Sequence, residues 1–200
     1  MAKTAKDYRF WFVTGSQHLY GPETLLEVEA HSREIVAALN EDPAVAEAGV
    51  LEFKEVLTTP EDILRLCRAA SADEACAGVI TWMHTFSPAK MWIGGLSELA
   101  KPLLHLHTQY NRDIPWDTID MNFMNTNQAA HGDREYGFIN TRMGLSRKVV
   151  VGHWTEAAVR EKLASWMRTA AAFMEGRRLK VARFGDNMRQ VAVTEGNKVS

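Results

Sequence analysis

The sequence has few cysteines, no long apolar run and almost no excess of charge, and each absence excludes a class of protein. Two cysteines in 200 residues favour a reducing compartment over a secreted fold built on disulfides. No apolar run reaches the roughly 18 residues that span a bilayer, and the polar first residues predict no secretory signal. A net charge of -2 offers no basic surface to nucleic acid. We therefore expect a cytoplasmic protein that binds neither membranes nor nucleic acid.

Signature motifs of the common enzyme classes are missing as well. The sequence contains no G-x-G-x-x-G, P-loop, G-x-S-x-G, H-E-x-x-H or C-x-x-C pattern, so nothing indicates a nucleotide, serine-hydrolase or zinc site. Residues 15–18 stand where a dinucleotide-binding domain would have its glycine-rich turn, which disfavours that function. No nucleophile with an evident base can be assigned.

What the sequence does contain is a regular alternation of strand and helix patterns. Short apolar runs predict buried strands at 9–14, 78–83, 103–107 and 148–151, and an alternating run predicts a strand nearer the sheet edge at 49–56. Apolar residues at helical spacing predict helices over 22–40, 59–71, 89–100 and 155–176. This order predicts an α/β fold, a doubly wound, mostly parallel sheet with helices on both faces, Rossmann or flavodoxin-like.

Local signals predict where several helices begin and end. Thr59 is placed to cap the second helix, with Pro60 at its first position and Asp62 as the capping-box acid. Asp42 and Pro43 are expected to stop the first helix. Residues 115–117 are expected to cap a helix that carries residues 120–127.

A new strand is predicted from Leu179 to Phe184, and little chain follows it. We therefore expect an N-terminal α/β domain over residues 1–177 and the beginning of a second, central α/β domain over residues 178–200.

Three polar segments with aromatic residues follow predicted strands: Ser16–Gly21, His84–Pro88 and the stretch after His107. Ligands bind outside the carboxyl ends of the strands in parallel sheets. These segments and the stretch Asn125–Phe138 offer amides and imidazoles that suit a polyol but do not suffice for a reaction. The groups are Gln17, His18, His84, Gln128 and His131.

His105 and His107 lie two residues apart in a predicted strand, so both side chains point to one face. They can act as metal ligands or form ordinary hydrogen bonds at the end of the strand. The hydrogen-bonded role is favoured, because no third ligand is suggested nearby.

The stretch Asn125–Phe138 is predicted to be a polar loop with a functional role. Asp133 and Glu135 are expected to be solvated within it. His131 precedes Gly132, so its imidazole would stand on a backbone that is free to turn, where it either binds a sugar hydroxyl or has only a structural role.

Four segments of the sequence resemble the L-arabinose isomerase family. They are WFVTGSQHLYGPETL at 11–25, HTFSPAKMWI at 84–93, MNTNQAAHG at 124–132 and RFGDNMR at 183–189. They occur in the family's order, and the resemblance runs from about residue 8 to the end. Members of the family are considerably longer, so this sequence resembles only their N-terminal domain and the opening of the central domain.

The resemblance implies a metal-dependent aldose–ketose isomerase of carbohydrate metabolism. It interconverts L-arabinose and L-ribulose, and D-galactose and D-tagatose, through an enediol. The family's metal is usually manganese, held by two glutamates and two histidines that lie beyond Ser200. Catalytic and metal-binding residues are therefore expected outside this sequence, and the 200 residues alone are expected to be inactive.

The resemblance also implies a hexamer, a dimer of trimers, in which this domain leans over the metal site of a neighbouring subunit. By the matching segments, the substrate contacts would be Gln17, Leu19, Phe86, Gln128, His131 and Met188. The alternative is a non-catalytic sugar-binding or assembly module on the same fold, which would bind a sugar without metal.

Overall fold

The five strands of this protein form a single parallel sheet. The computed structural model describes residues 7–182 and 184. The strands are β1 Arg9–Gly15, β2 Val50–Leu57, β3 Cys76–Trp82, β4 Leu103–His107 and β5 Lys148–Val151. Their order in the sheet is β2-β1-β3-β4-β5, with every neighbouring pair parallel. This is the strand order of a flavodoxin-like, doubly wound sheet, so the predicted fold class is confirmed.

Seven α-helices and two short 3-10 turns are formed within the described residues. The helices are α1 Gly21–Glu41, α2 Pro43–Ala48, α3 Pro60–Ala72, α4 Trp92–Glu98, α5 Met121–Asn125, α6 Ala129–Arg142 and α7 Ala157–Gly176. The 3-10 turns are His18–Tyr20 and Ala89–Met91. Of the helices described, none is both long and apolar enough to cross a membrane.

Side chains that alternate along the strands divide the core into two clusters. In β1, Phe10 and Phe12 point into one cluster with residues of α1, α2 and α7. Trp11 and Val13 point into the other, with residues of α3, α4 and α6. Each cluster buries one face of the sheet, as the period of two in a strand requires. The predicted helices on both faces are thus confirmed.

Helix beginnings follow the predicted chemistry in one place and depart from it in others. The Thr59 hydroxyl accepts a hydrogen bond from the Asp62 amide at 3.2 Å, as a helix cap does. Asp42 and Pro43 do end α1, but they also begin α2, which was not predicted. The Asp42 carboxylate accepts from the Ala44 and Val45 amides, and so caps a helix rather than only stopping one.

The prediction of a loop over Asn125–Phe138 was wrong, because most of this stretch lies in α6. The residues that α6 buries recur at helical spacing but are mostly small or polar, so they give no apolar stripe: Ala129, Gly132, Asp133, Tyr136 and Asn140. The Asp133 carboxyl is hydrogen-bonded to His105 of β4, whereas the Asn140 amide donates to the Tyr136 carbonyl within the helix at 2.8 Å.

The predicted cap at residues 115–117 was also wrong. The helix that follows, α5, begins after Asp120, whose carboxylate accepts from the Phe123 amide at 2.8 Å. A short acceptor directly before the first turn is the better cap.

Two further predictions are corrected at their boundaries. The segment predicted as one helix over 89–100 begins as a 3-10 turn and becomes α-helical only at Trp92. The helix predicted over 155–176 is α7 Ala157–Gly176, and its Phe173 is 55% exposed in an open groove beside Leu103 and Trp166.

The strand predicted from Leu179 is not formed in the residues described there. Residues 179–182 and Phe184 lie outside any helix or strand. A strand is stabilised by hydrogen bonds to a neighbouring strand, and none of the described strands pairs with this segment.

Candidate functional site

The candidate site lies where β1 and β3, adjacent in the sheet, send their connections to opposite faces. The chain leaves β1 toward α1 on one face and leaves β3 toward α4 on the other. This divergence is the topological switch point, where doubly wound sheets open a crevice at the carboxyl ends of the strands. Two of the three predicted loops, Ser16–Gly21 and His84–Pro88, stand on either side of it.

Hydrogen bonds join these two loops directly. The Thr85 hydroxyl donates to the Ser16 hydroxyl at 2.7 Å, and both side chains are buried. The Phe86 amide donates to the Tyr20 hydroxyl at 3.3 Å. The loop after β3 therefore has a fixed position relative to the loop after β1.

The loops approach so closely that only glycine fits at the end of β1. A Cβ atom on Gly15 would lie 2.6 Å from the Met83 sulfur and 2.9 Å from the Ser87 Cβ and Oγ. Ser87 is itself held, because its hydroxyl accepts from the Trp92 indole at 3.0 Å. Gly15 thus brings the two sides of the switch point together.

Phe86 and His131, two of the predicted sugar-contacting residues, are in contact. Their ring centroids lie 4.7 Å apart with the planes tilted by 32°. Phe86 comes from the loop after β3, whereas His131 comes from the first turn of α6 and is exposed. Gln128 caps the same helix from one residue before it, and its amide nitrogen donates to the Asn125 side chain at 3.3 Å.

Gln17 and Leu19 stand on the other side of the switch point. Gln17 is half-buried in extended backbone before the 3-10 turn. Leu19 is 85% exposed. Among residues 7–182 and 184, no hydrogen bond joins the Gln17 side chain to His131. Met188, the sixth predicted contact, lies outside the described residues.

Two groups of side chains at this end of the sheet, each built around a buried histidine, were not predicted. The first, called here the aromatic cluster, consists of Trp82, His84, His31 and Tyr110. The His84 ring stacks on Trp82 at 4.2 Å, and the His31 ring stacks on Tyr110 at 3.5 Å. A 2.8 Å hydrogen bond joins His31 Nδ1 to His84 Nε2. Burial lowers the pKa of His84 to about 3 and also lowers the pKa of His31.

The second group, called here the acid cluster, consists of His105, Asp133 and His107. Asp133 is 2% exposed, so the expectation that it is solvated was wrong. Its Oδ1 lies 2.5 Å from His105 Nε2, and its Oδ2 lies 3.3 Å from His107 Nε2. The favoured role of His105, a hydrogen-bonded histidine on the strand, is confirmed. Burial raises the pKa of Asp133 to about 8 and lowers that of His105 to about 4.

The backbone at His131 is not free to turn, contrary to the expectation from Gly132. Gly132 is an interior residue of α6, and a Cβ atom there would lie 3.0 Å from the Met83 Cβ and the Thr85 carbonyl oxygen. This glycine serves close packing instead of backbone freedom. The sequence signal that was overlooked is the helical spacing of Asp133, Tyr136 and Asn140 opposite the exposed His131.

The fold and these loops define the class: a doubly wound α/β domain with a candidate ligand site at its switch point. Its residues 4–178 match the model of the "L-arabinose isomerase N-terminal domain", and residues 180–200 match that of the "L-arabinose isomerase central domain". The chain belongs to the L-arabinose isomerase family, of which it covers the N-terminal domain and the start of the central domain.

Curated relatives agree with this assignment. The chain is 72% identical over 194 residues to the L-arabinose isomerases of Anoxybacillus flavithermus and Geobacillus stearothermophilus, and 63% identical to that of Bacillus subtilis. Each match covers 97% of this chain but only 38 to 39% of the relative. Among solved structures, a diflavin flavoprotein A3 from Nostoc sp. aligns over 86% of this chain and 96% of that one, at 10% identity and a TM-score of 0.37.

Proposed function

We propose that this chain is the substrate-facing N-terminal part of an enzyme that isomerises L-arabinose to L-ribulose, and D-galactose to D-tagatose, through an enediol. The observation that carries the proposal is the convergence of side chains at the switch point. Phe86 and His131 meet there from separate elements, in a chain 72% identical to two L-arabinose isomerases.

The exposed groups at this site have the chemistry of a sugar-binding surface. Aromatic faces pack on the apolar side of a sugar ring, and amide and imidazole groups exchange hydrogen bonds with hydroxyls. We assign Phe86 to the first role, and Gln17, Gln128 and His131 to the second. Leu19 would supply an apolar contact, because its side chain is 85% exposed in the loop after β1. Met188 completes the proposed set.

Manganese belongs to this proposal through the family resemblance. Among residues 7–182 and 184, no three or more histidine, cysteine, aspartate or glutamate side chains are grouped so that they could hold a metal ion. These residues do not fit a manganese site, and no catalytic step is assigned to them. We expect the metal ligands and the proton-transferring glutamates beyond Ser200.

Assembly follows from the same proposal. A site that presents exposed side chains without metal ligands needs a second surface to complete it. We propose that this surface is the metal site of a neighbouring subunit in a cytoplasmic hexamer of two trimers. Residues 178–200 would begin the central domain that follows the domain of residues 1–177.

The proposal is tested on the complete enzyme that contains these residues, with manganese and L-arabinose. We expect His131→Ala and Leu19→Ala to lower kcat/KM by about tenfold or more, because each removes a contact with the bound sugar. Leu26→Ala is the matched control, since Leu26 is also a mostly exposed leucine but lies on α1. Unchanged kinetics in both site variants would contradict the proposed contacts.

The isolated 200-residue chain separates the proposal from a non-catalytic module. We expect it to show no turnover with manganese and arabinose. Calorimetry with ribitol, with and without manganese, gives the second measurement. Ribitol binding by the isolated chain that is indifferent to manganese would favour the sugar-binding module instead.

A further inference from the structure

Helix α6 carries His131, and three contacts hold the helix against the sheet. Gly132 packs on Met83 and Thr85 without room for a side chain. One turn later, the Glu135 carboxylate accepts a hydrogen bond from the Ala89 amide at 2.9 Å. Between them, Asp133 reaches the sheet itself through the acid cluster. Because the first two contacts lie beside the loop after β3, Asp133 ties the helix to β4, as the Tyr136 ring also does through its edge-on contact with His105.

The geometry of the acid cluster is that of a bridge. The His105 and His107 rings are parallel within 3°, with centroids 6.1 Å apart, on one face of β4. Oδ1 of Asp133 faces the His105 ring, and its Oδ2 faces the His107 ring. His105 is buried, whereas the His107 side chain is 34% exposed. The Asp133 carboxyl is hydrogen-bonded to His105 through Oδ1, and its Oδ2 lies close to His107 without a hydrogen-bond partner among the described residues.

Burial acts on the ionisation of two groups in the cluster. The pKa of Asp133 is raised and that of His105 is lowered, in both cases mainly by burial. The charge of Arg147 further lowers the pKa of His105, and His107 partly offsets the rise at Asp133. The Tyr136 ring also meets His105 edge-on, at 4.9 Å. In both groups burial favours the uncharged form.

The position of Asp133 in the helix determines the direction in which the His131 side chain points. The two residues are two positions apart, so their side chains leave the helix about 200° apart. When Asp133 is fixed toward β4, His131 is therefore directed to the opposite side, where it contacts Phe86. A rotation of α6 by one residue, about 100°, would remove that contact.

We propose that Asp133 is a positioning residue, whose bridge between His105 and His107 fixes the rotation of α6 and thereby sets the His131 imidazole over Phe86 for substrate. The part of this inference that concerns substrate rests on the proposed function. The part that concerns the His131 geometry does not.

The geometry is tested by NMR on the 200-residue chain. The Phe86 ring, 4.7 Å away, shifts the ring protons of His131 through its ring current, and His131→Gln and Phe86→Leu identify that signal. We expect Asp133→Ala to move the His131 resonances toward their positions in Phe86→Leu, and Asp133→Asn, which keeps a hydrogen-bonding group, to restore them in part. Asp117→Asn, which removes a carboxylate from an exposed residue, is the matched control.

A purely structural role would lower thermal stability and leave the His131 resonances of the folded chain unchanged, which would overturn the proposal. If Asp133→Ala does not fold, His107→Gln takes its place, because it breaks only the longer contact of the partly exposed ring. An unshifted His131 signal in both His107→Gln and Asp133→Asn overturns the proposal equally.

Kinetics of the complete enzyme then test the link to substrate. We expect kcat/KM to fall by about ten- to a hundredfold in Asp133→Ala, the range for a misplaced group near the reacting centre, and less in Asp133→Asn, with KM changed more than kcat. Shifted resonances with unchanged kinetics would leave the positioning intact and refute the proposed role of His131. Unshifted resonances refute the positioning, whatever the kinetics.

Discussion

The aromatic cluster and the acid cluster both bury an imidazole at the carboxyl edge of the sheet, but they differ in what faces it. His84 is stacked on an indole and bonded to a second imidazole. His105 is bonded to a carboxyl group that is buried with it. Burial suppresses the charge on both rings, and only in the acid cluster does it also suppress a charge of the opposite sign.

The difference gives the two clusters opposite effects on stability as pH changes. The aromatic cluster only resists protonation, so it is weakened by acid. The acid cluster contains one group that resists protonation and one that retains its proton, and their effects cancel over part of the pH range. Equal burial of a histidine thus has different consequences that depend on its partner.

The largest expected effect is the acid sensitivity caused by His84. Below its unfolded pKa of 6.5, the unfolded state takes up a proton that the folded state refuses until about pH 3. The contribution of His84 is therefore complete above pH 6.5 and declines by about 1.4 kcal/mol per pH unit as pH falls. The free energy of unfolding, measured with urea between pH 6.5 and 4.5, should decline with falling pH less steeply in His84→Gln, by this amount per pH unit. An unaltered slope would mean that His84 is charged in the folded protein.

The acid cluster should show the opposite sign at higher pH. Asp133 has a folded pKa of about 8 and an unfolded value of 3.8, so its contribution declines as pH rises through that interval. His105 cancels this decline between about pH 4 and 6.5. A loss of about 2 kcal/mol from pH 6.5 to 8 remains. In Asp133→Asn that loss should be absent. The decline in stability that His105 causes as pH falls from 6.5 to 4 should then no longer be offset.

A smaller effect is expected from Gly132→Ala, which tests how closely α6 is packed beside the acid cluster. The added Cβ would meet the Met83 Cβ and the Thr85 carbonyl oxygen at 3.0 Å. We expect a loss of about 1–3 kcal/mol in chemical denaturation. Gly94→Ala is the control, because nothing lies within 4 Å of its Cβ position in α4, and it should stabilise by about 0.5–1 kcal/mol. Equal effects in both variants would contradict the close packing.

The smallest effect concerns the exposed end of the aromatic cluster. The Tyr110 hydroxyl donates to the Glu34 carboxylate at 2.7 Å in an exposed position, whereas its ring stacks on His31. Tyr110→Phe should change the free energy of unfolding by about 0.5 kcal/mol or less, and Tyr110→Leu, which removes the stacked ring, by more. A greater loss in Tyr110→Phe would assign the stability to the hydrogen bond instead of the stack.

Much of the fold could be predicted because its signals are local. Apolar runs identified four of the strands and an alternating run the fifth, and the cap at Thr59 with Pro60 located the beginning of α3. The alternation of strands and helices along the chain predicted a parallel sheet. The loops at the carboxyl ends of its strands were therefore expected to form the site. The α6 helix was not predicted in this way, because its buried face carries Asp133 and Asn140 at positions where apolar residues would indicate a helix.

The sequence by itself determined the sheet, its covering helices and the two loops at the switch point, because apolar period and helix caps depend on neighbouring residues. The tertiary structure decided that Asp133 is buried and that His131 meets Phe86. Asp133 can be buried only because His105 and His107, 28 and 26 positions earlier in the chain, face it from β4. A carboxyl group enters the interior only with partners of this kind, and the sequence does not state which distant residues the fold will bring to it.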